Sequence, residues 1–93
     1  MISANEYFDG NVKSLGYESA EGKSTLGVME VGEYTFDTSL DEIMTVVQGE
    51  LVVQLPGESE WKSFKAGDSF NVAANKSFNV KTSVVSSYLC QYN

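Results

Sequence analysis

The stretch Gly32-Glu33-Tyr34-Thr35-Phe36-Asp37-Thr38-Ser39-Leu40-Asp41-Glu42-Ile43-Met44-Thr45-Val46-Val47-Gln48-Gly49 decides how this chain is read. Two local readings compete for its second half. Ser39-Leu40-Asp41-Glu42 has the spacing of a helix capping box, with a hydroxyl followed three residues later by a carboxylate. The apolar run behind it is short, rich in β-branched residues and stopped by Gly49, so a helix there would have scarcely two turns. Strand propensity favours the other reading. Tyr34 and Phe36 then face one way with Glu33, Thr35 and Asp37 opposite, while Met44, Val46 and Gln48 alternate with Ile43, Thr45 and Val47.

The same alternation continues outward. Leu51, Val53 and Leu55 share a face, as do Phe70 and Val72, Phe78 and Val80, and finally Tyr88, Cys90 and Tyr92. Between these runs lie turn signals at Asp9-Gly10-Asn11, Glu21-Gly22-Lys23, Gly32, Gln48-Gly49-Glu50, Pro56-Gly57, Ala66-Gly67-Asp68 and Ala74-Asn75-Lys76. Turns repeated every roughly 8–12 residues predict an all-β, antiparallel sandwich or barrel. At 93 residues the chain has the length of one domain, with a core small enough that a partner subunit would help.

Composition removes whole classes of function. Six lysines, no arginine and no histidine stand against 13 Asp and Glu, for a net charge of −7. Such a chain repels a polyanion, so nucleic acid is not an expected partner. Without histidine there is no Ser–His–Asp triad and no imidazole base or metal ligand. Without arginine there is no bidentate phosphate clamp. A single cysteine, Cys90, allows neither an intrachain disulfide nor a cysteine-based zinc cluster. No window has the apolar length of a membrane span, and the N-terminus lacks the pattern of a signal peptide, so the expected compartment is the cytoplasm. Any chemistry must run on carboxylates, hydroxyls, amides, lysines and aromatic faces.

Two glycine-anchored blocks, Gly32–Gly49 and the segment from Gly67-Asp68-Ser69-Phe70-Asn71-Val72 to Phe78, resemble the two motifs of the cupins. Glu42 and the glycines stand in the cupin places. The histidine places carry Thr38, Leu40 and Phe78, and the proline place of the second motif carries Ala73. The resemblance implies a cupin-type, jelly-roll-like antiparallel barrel in which Glu42 points inward. One carboxylate is too few donors for a transition metal, so no metal site is expected.

A tighter resemblance runs over nearly the whole chain. Asn5-Glu6-Tyr7-Phe8, Gly32-Glu33-Tyr34-Thr35-Phe36, Glu42-Ile43-Met44-Thr45-Val46, Gly49-Glu50-Leu51-Val52-Val53, Leu55-Pro56, Trp61, Gly67, Phe70-Asn71-Val72 and Ser87-Tyr88-Leu89-Cys90 are similar to the pyrimidine/purine nucleoside phosphorylases, small single-domain bacterial cupins. That family implies a pentosyltransferase acting across residues 1–93 as one domain. It would cleave purine and pyrimidine nucleosides reversibly with phosphate, giving free base and ribose 1-phosphate. Two positions depart from the family pattern: Gln91 stands where it has an arginine, and Ala73 where it has a proline.

Phosphorolysis makes three demands on such a chain. Positive charge builds on the sugar as the glycosidic bond breaks, and Glu42 is the candidate to bind the ribose hydroxyls and stabilise that charge. Base recognition indifferent to base identity calls for stacking, with Tyr34, Phe36, Phe78, Tyr88 and Tyr92 as the supply. A tyrosine hydroxyl, taken here as that of Tyr88, can also assist the leaving base. Phosphate would be held by backbone N–H groups near glycines, by the hydroxyls of Thr38, Ser39, Thr45 and Ser77, and by Lys76 or Lys81. The negative field predicts weak phosphate affinity that added salt mildly improves. Cys90 reads as a small buried apolar residue, and Trp61 as an exterior or subunit-contact group.

No cofactor is expected beyond inorganic phosphate as co-substrate, and the partners are small molecules plus a second copy of the chain. The homodimer contact is expected at Asn5–Phe8. The competing reading is a non-catalytic, metal-free cupin that binds a nucleoside or sugar; a third is a ligand-free dimeric structural domain.

Overall fold

The computed structural model describes residues 1–93. Ten strands form in chain order: β1 (Ser3–Tyr7), β2 (Val12–Ser19), β3 (Gly22–Met29), β4 (Gly32–Asp37), β5 (Glu42–Gln48), β6 (Glu50–Gln54), β7 (Lys62–Lys65), β8 (Ser69–Val72), β9 (Ser77–Thr82) and β10 (Ser86–Tyr92). A single 3-10 turn, Phe8–Gly10, follows β1. The segment Ser39–Glu42 forms no helix, and Glu42 opens β5 as the alternation requires.

Every pairing is antiparallel. One sheet has the order β1-β2-β3-β10-β5-β8 and the other β4-β9-β6-β7. The jelly-roll-like, all-β architecture expected from the sequence is present, with one refinement. The two sheets face each other without hydrogen-bonding into a closed ring, so β1 and β8 end one sheet and β4 and β7 end the other. Short strands that change sheets at Gly49 and at the turn before Ser77 leave seams between these ends.

Thirteen buried side chains fill the space between the sheets, among them Val12, Met29, Met44, Val46, Leu51, Val53, Phe70 and Val80. Each such side chain contributes on the order of 1.5–3 kcal/mol by leaving water. The alternation predicted for 44–46, 51–53, 70–72 and 78–80 is the alternation of burial along β5, β6, β8 and β9.

Two polar clips hold the seams. Gly49, at φ +88°, carries the chain from β5 into β6, and a Cβ there would lie 2.2 Å from Ser86 Oγ and 3.0 Å from Ser86 Cα. Only glycine fits. Ser86 is 1% exposed; its Oγ accepts from the Glu50 N–H (3.1 Å) and donates to the Val84 carbonyl (2.9 Å). The second clip is Thr38, just past β4. Its Oγ1 donates to the Ala73 carbonyl (2.7 Å) and accepts from the Lys76 N–H (3.0 Å). Asp41 adds a bond from the Ala74 N–H (2.8 Å). The connection that delivers Glu42 is thereby pinned to the turn at 73–76.

Candidate active site

Between the sheets lies a cavity of about 230 Å³. Its polar wall comes from the six-stranded sheet: Glu42 on β5, Tyr88, Cys90 and Tyr92 on β10, Thr25 on β3 and Ser14 on β2. Its aromatic wall comes from the seam: Phe36 on β4, Phe78 on β9, and Tyr7 and Phe8 at the end of β1. Thr35 and Asp37 form part of the rim.

Register explains the polar wall. Tyr92 pairs with Glu42, and Cys90 pairs with both Met44 and Thr25, so three neighbouring strands present their inward residues in adjoining rows. The Cys90 thiol donates to Glu42 Oε1 (3.4 Å), and Thr25 Oγ1 lies 3.2 Å from the Tyr92 hydroxyl. Tyr88 reaches across β3, where Gly27 provides the room: a Cβ at Gly27 would stand 2.2 Å from Tyr88 Cζ.

Burial sets the protonation states. Desolvation raises the Glu42 carboxyl above its ordinary value, partly opposed by the thiol hydrogen bond from Cys90. Burial is also the main influence on Cys90, with the nearby Glu42 charge adding to it, and the thiol is pushed up to about 12. Tyr88 and Tyr92 are raised for the same leading reason. Burial thus favours the neutral form of each of these groups: the two phenols, the thiol and the Glu42 carboxyl. The Tyr88 hydroxyl makes no hydrogen bond within the chain and is free to donate to a ligand.

The aromatic wall has an unusual backbone. Phe8 (φ +54°) and Asp9 (φ +57°) are consecutive non-glycine residues in the left-handed region, which costs roughly 1–2 kcal/mol per residue. The turn is closed by the Asn11 N–H donating to the Phe8 carbonyl (3.1 Å). It lays the Phe8 ring 5.0 Å from Tyr34 and 5.5 Å from Phe36, bridging the ends of the two sheets.

Of the residues singled out from the sequence, Glu42, Tyr88, Phe36, Phe78 and Tyr92 come together on this cavity. Tyr34 does not line it; the ring is buried behind Phe8, and its hydroxyl donates to the Glu30 carbonyl (2.8 Å). Thr38 is the buried clip described above. Ser39 is exposed in the loop before β5. Thr45 faces away from the core and pairs with the Ser69 hydroxyl (2.8 Å). Ser77 is exposed and hydrogen-bonded to Asp37.

Neither lysine considered for phosphate is in the cavity wall. Lys76 sits on the exposed turn, and Lys81 lies over the outward Trp61 ring, 4.2 Å from its centroid. Gln91 falls between Cys90 and Tyr92 on β10 and so points away from the cavity. Ala73 contributes its carbonyl to Thr38, which a proline shares.

Sequence reasoning misses Ser14, Thr25, Tyr7 and Phe8 as cavity residues. Alternation in β2 and β3 carries the signal for Ser14 and Thr25, whose strands the aromatic pattern does not mark. Nothing local in the sequence marks the inward turn of Phe8. Cys90 is buried as expected, 2% exposed, yet it is also a hydrogen-bond donor to Glu42.

Comparison with known proteins points the same way. A family model described as "Pyrimidine/purine nucleoside phosphorylase" matches residues 2–92. A protein of that name from Psychromonas ingrahamii is 60% identical over 91 residues, covering 98% of this chain and 97% of its own. One from Pseudomonas putida is 54% identical over 92 residues, covering 99% and 98%. Among solved structures, a protein of unknown function from Vibrio parahaemolyticus superposes with a TM-score of 0.96 at 45% identity, covering 100% of this chain and 99% of that one. An RmlC-like cupin from Shewanella frigidimarina superposes at 0.75 with 19% identity over 97% and 81%, a likeness of fold.

Proposed function

Because the chain belongs to the pyrimidine/purine nucleoside phosphorylase family, we propose that the cavity between its sheets is where a nucleoside is cleaved by phosphate. The protein is an enzyme of the pentosyltransferase class. The convergence of Glu42, Tyr88, Phe36, Phe78 and Tyr92 on one cavity, drawn from both sheets, carries the assignment of the site.

The chemistry follows from the two walls. A phosphate oxygen forms a bond to the anomeric carbon as the bond to the base nitrogen breaks, and the electron pair leaves with the base. Glu42, ionised, accepts hydrogen bonds from the ribose hydroxyls and offsets the positive charge of the sugar ring. Tyr88, a neutral phenol kept so by its surroundings, donates a hydrogen bond to the departing base. Ribose 1-phosphate and free base are the products, and the reverse reaction uses the same contacts.

Phosphate is the weakly held partner. The cavity wall offers hydroxyls at Ser14, Thr25 and Thr35 and no lysine, while the chain carries −7 overall. Weak phosphate binding, improved by salt, is the consequence. At about 230 Å³ the cavity is smaller than the roughly 300–1,000 Å³ that encloses a drug-sized ligand, so part of the nucleoside stays in the mouth.

We further propose that residues 1–93 act as one domain, in the cytoplasm, in nucleoside salvage, as a homodimer and without a cofactor. The dimer reading is supported by the apolar residues Leu15, Leu26, Val28 and Val47, each about half exposed on the outer face of the six-stranded sheet. Asn5–Phe8, the contact proposed from the sequence, already pairs in part with β2 and in part lines the cavity. Leu15→Glu with Leu26→Glu should halve the mass in solution if the outer face is the contact; an unchanged mass returns the contact to β1.

The deciding assay incubates the protein with uridine, adenosine and guanosine in phosphate buffer and separates free base and ribose 1-phosphate by chromatography. Phosphate-dependent release, lost in Glu42→Gln and reduced in Tyr88→Phe, supports the site. Thermal stabilisation by nucleoside without any base release favours the non-catalytic binder.

A further inference from the structure

We propose that Phe8 is the platform on which the base of the nucleoside stacks, and that its left-handed turn exists to present that face at the cavity mouth. This deepens the site reading above and rests on it. Three observations point to it.

The first is supply. A base-tolerant site needs an exposed π-face, since every base offers one and edge contacts would discriminate. Phe36 and Phe78 stack on each other at 5.7 Å with 30° between planes, and Phe78 is buried. Tyr34 is buried behind the wall, and Tyr88 and Tyr92 belong to the polar side. Phe8 lines the cavity with 42% of its surface exposed. Tyr7 is comparably exposed, but it brings a hydroxyl rather than a clean apolar face.

Geometry is the second. Phe8 meets Phe36 edge-on at 87° and Tyr34 at a tilt of 51°, so neither neighbour covers its ring by parallel stacking. The third is the backbone. A phenylalanine at φ +54° followed by an aspartate at φ +57° runs against residue preference, and such positions persist where the surrounding structure has a use for them. Here Phe8 and Asp9 lie in the turn that joins β1 to β2, where Tyr7 pairs with Val12, and the turn sets the Phe8 ring against Tyr34 and Phe36 of the other sheet, on the cavity that Glu42 also lines.

The test separates stacking from folding. Phe8→Gly suits the positive φ, so the backbone remains unstrained when the ring is removed. Phe8→Leu keeps apolar bulk without a π-face. Both should raise KM for adenosine, guanosine and uridine together by about 5- to 100-fold, with kcat changed much less and purines affected more than uridine. Phe8→Trp should keep KM near that of the natural protein and add indole fluorescence that nucleoside quenches, a signal that a Trp61→Phe background isolates. Unchanged KM values in folded Phe8→Gly and Phe8→Leu, or fluorescence of the Phe8→Trp variant left unquenched at saturating nucleoside, would overturn the proposal. If Glu42→Gln still abolishes base release in that case, the site reading survives and only the platform is lost. If the natural protein releases no base, the site reading itself fails.

Discussion

Gly27→Ala is the substitution most directly worked from the geometry. Gly27 has no positive φ to require glycine, and the reason for the residue is Tyr88. A methyl there would stand 2.2 Å from Tyr88 Cζ, 2.4 Å from its hydroxyl oxygen and 2.5 Å from Cε1. Ordinary contact needs about 3.5 Å, so the ring must retreat by at least ~1.3 Å. Overpacking of this kind costs about 1–3 kcal/mol, against which alanine returns about 0.5–1 kcal/mol of backbone entropy. The expected net destabilisation is about 1–2 kcal/mol by urea unfolding. With Tyr88 in its proposed role at the leaving base, the functional effect should be larger, because a displacement of about 1 Å costs a reacting group about 100-fold in rate. In a Tyr88→Ala background, Gly27→Ala should cost nothing, giving a coupling energy of about 1–3 kcal/mol in a double-mutant cycle. Equal activity in Gly27→Ala and the natural protein, or additive stability effects in the cycle, would refute the reasoning.

Three more expectations rest on single side chains. Thr38→Val leaves the Ala73 carbonyl and the Lys76 N–H without their partner at a 6% exposed position, and should destabilise by about 1–3 kcal/mol in chemical denaturation. Glu42 binds its proton more tightly folded than unfolded, so its contribution to stability is present below about pH 4.3 and is lost as pH rises through its raised value. Glu42→Gln should therefore melt higher than the natural protein at pH 7, with the difference closing near about pH 4. Cys90, pushed up to about 12 and 2% exposed, should react with a thiol reagent at about pH 8 only when the protein unfolds; rapid labelling of the native state would contradict the burial.

The outer face of the fold and its inner face are separated by one residue of register, which is why so much of the site is legible in the sequence. Glu42 is in phase with Met44 and Val46, and Tyr88, Cys90 and Tyr92 are in phase with one another; once those strands exist, the pleat alone puts these side chains inside. The strand reading of Ile43–Val47 likewise needs only β-branched residues and a terminating glycine. The hydroxyls considered for phosphate are a different matter. Thr38, Ser39, Thr45 and Ser77 lie near Glu42 in sequence or motif, and proximity along a strand says nothing about which sheet face or turn a hydroxyl serves.

Strand identity, inward phase and the exclusion of histidine, arginine and disulfide chemistry can all be read from the order and kinds of residues, because period-two alternation and composition are local properties. Three-dimensional packing is what makes Thr25 meet Tyr92 across 67 positions, lets Thr38 clip a turn 35 to 38 residues away, and turns Phe8 into the seam. Those contacts follow from which strands become neighbours and where the sheets end. That choice is made by burying together thirteen side chains from strands far apart in sequence, a collective free energy that no short window of residues contains.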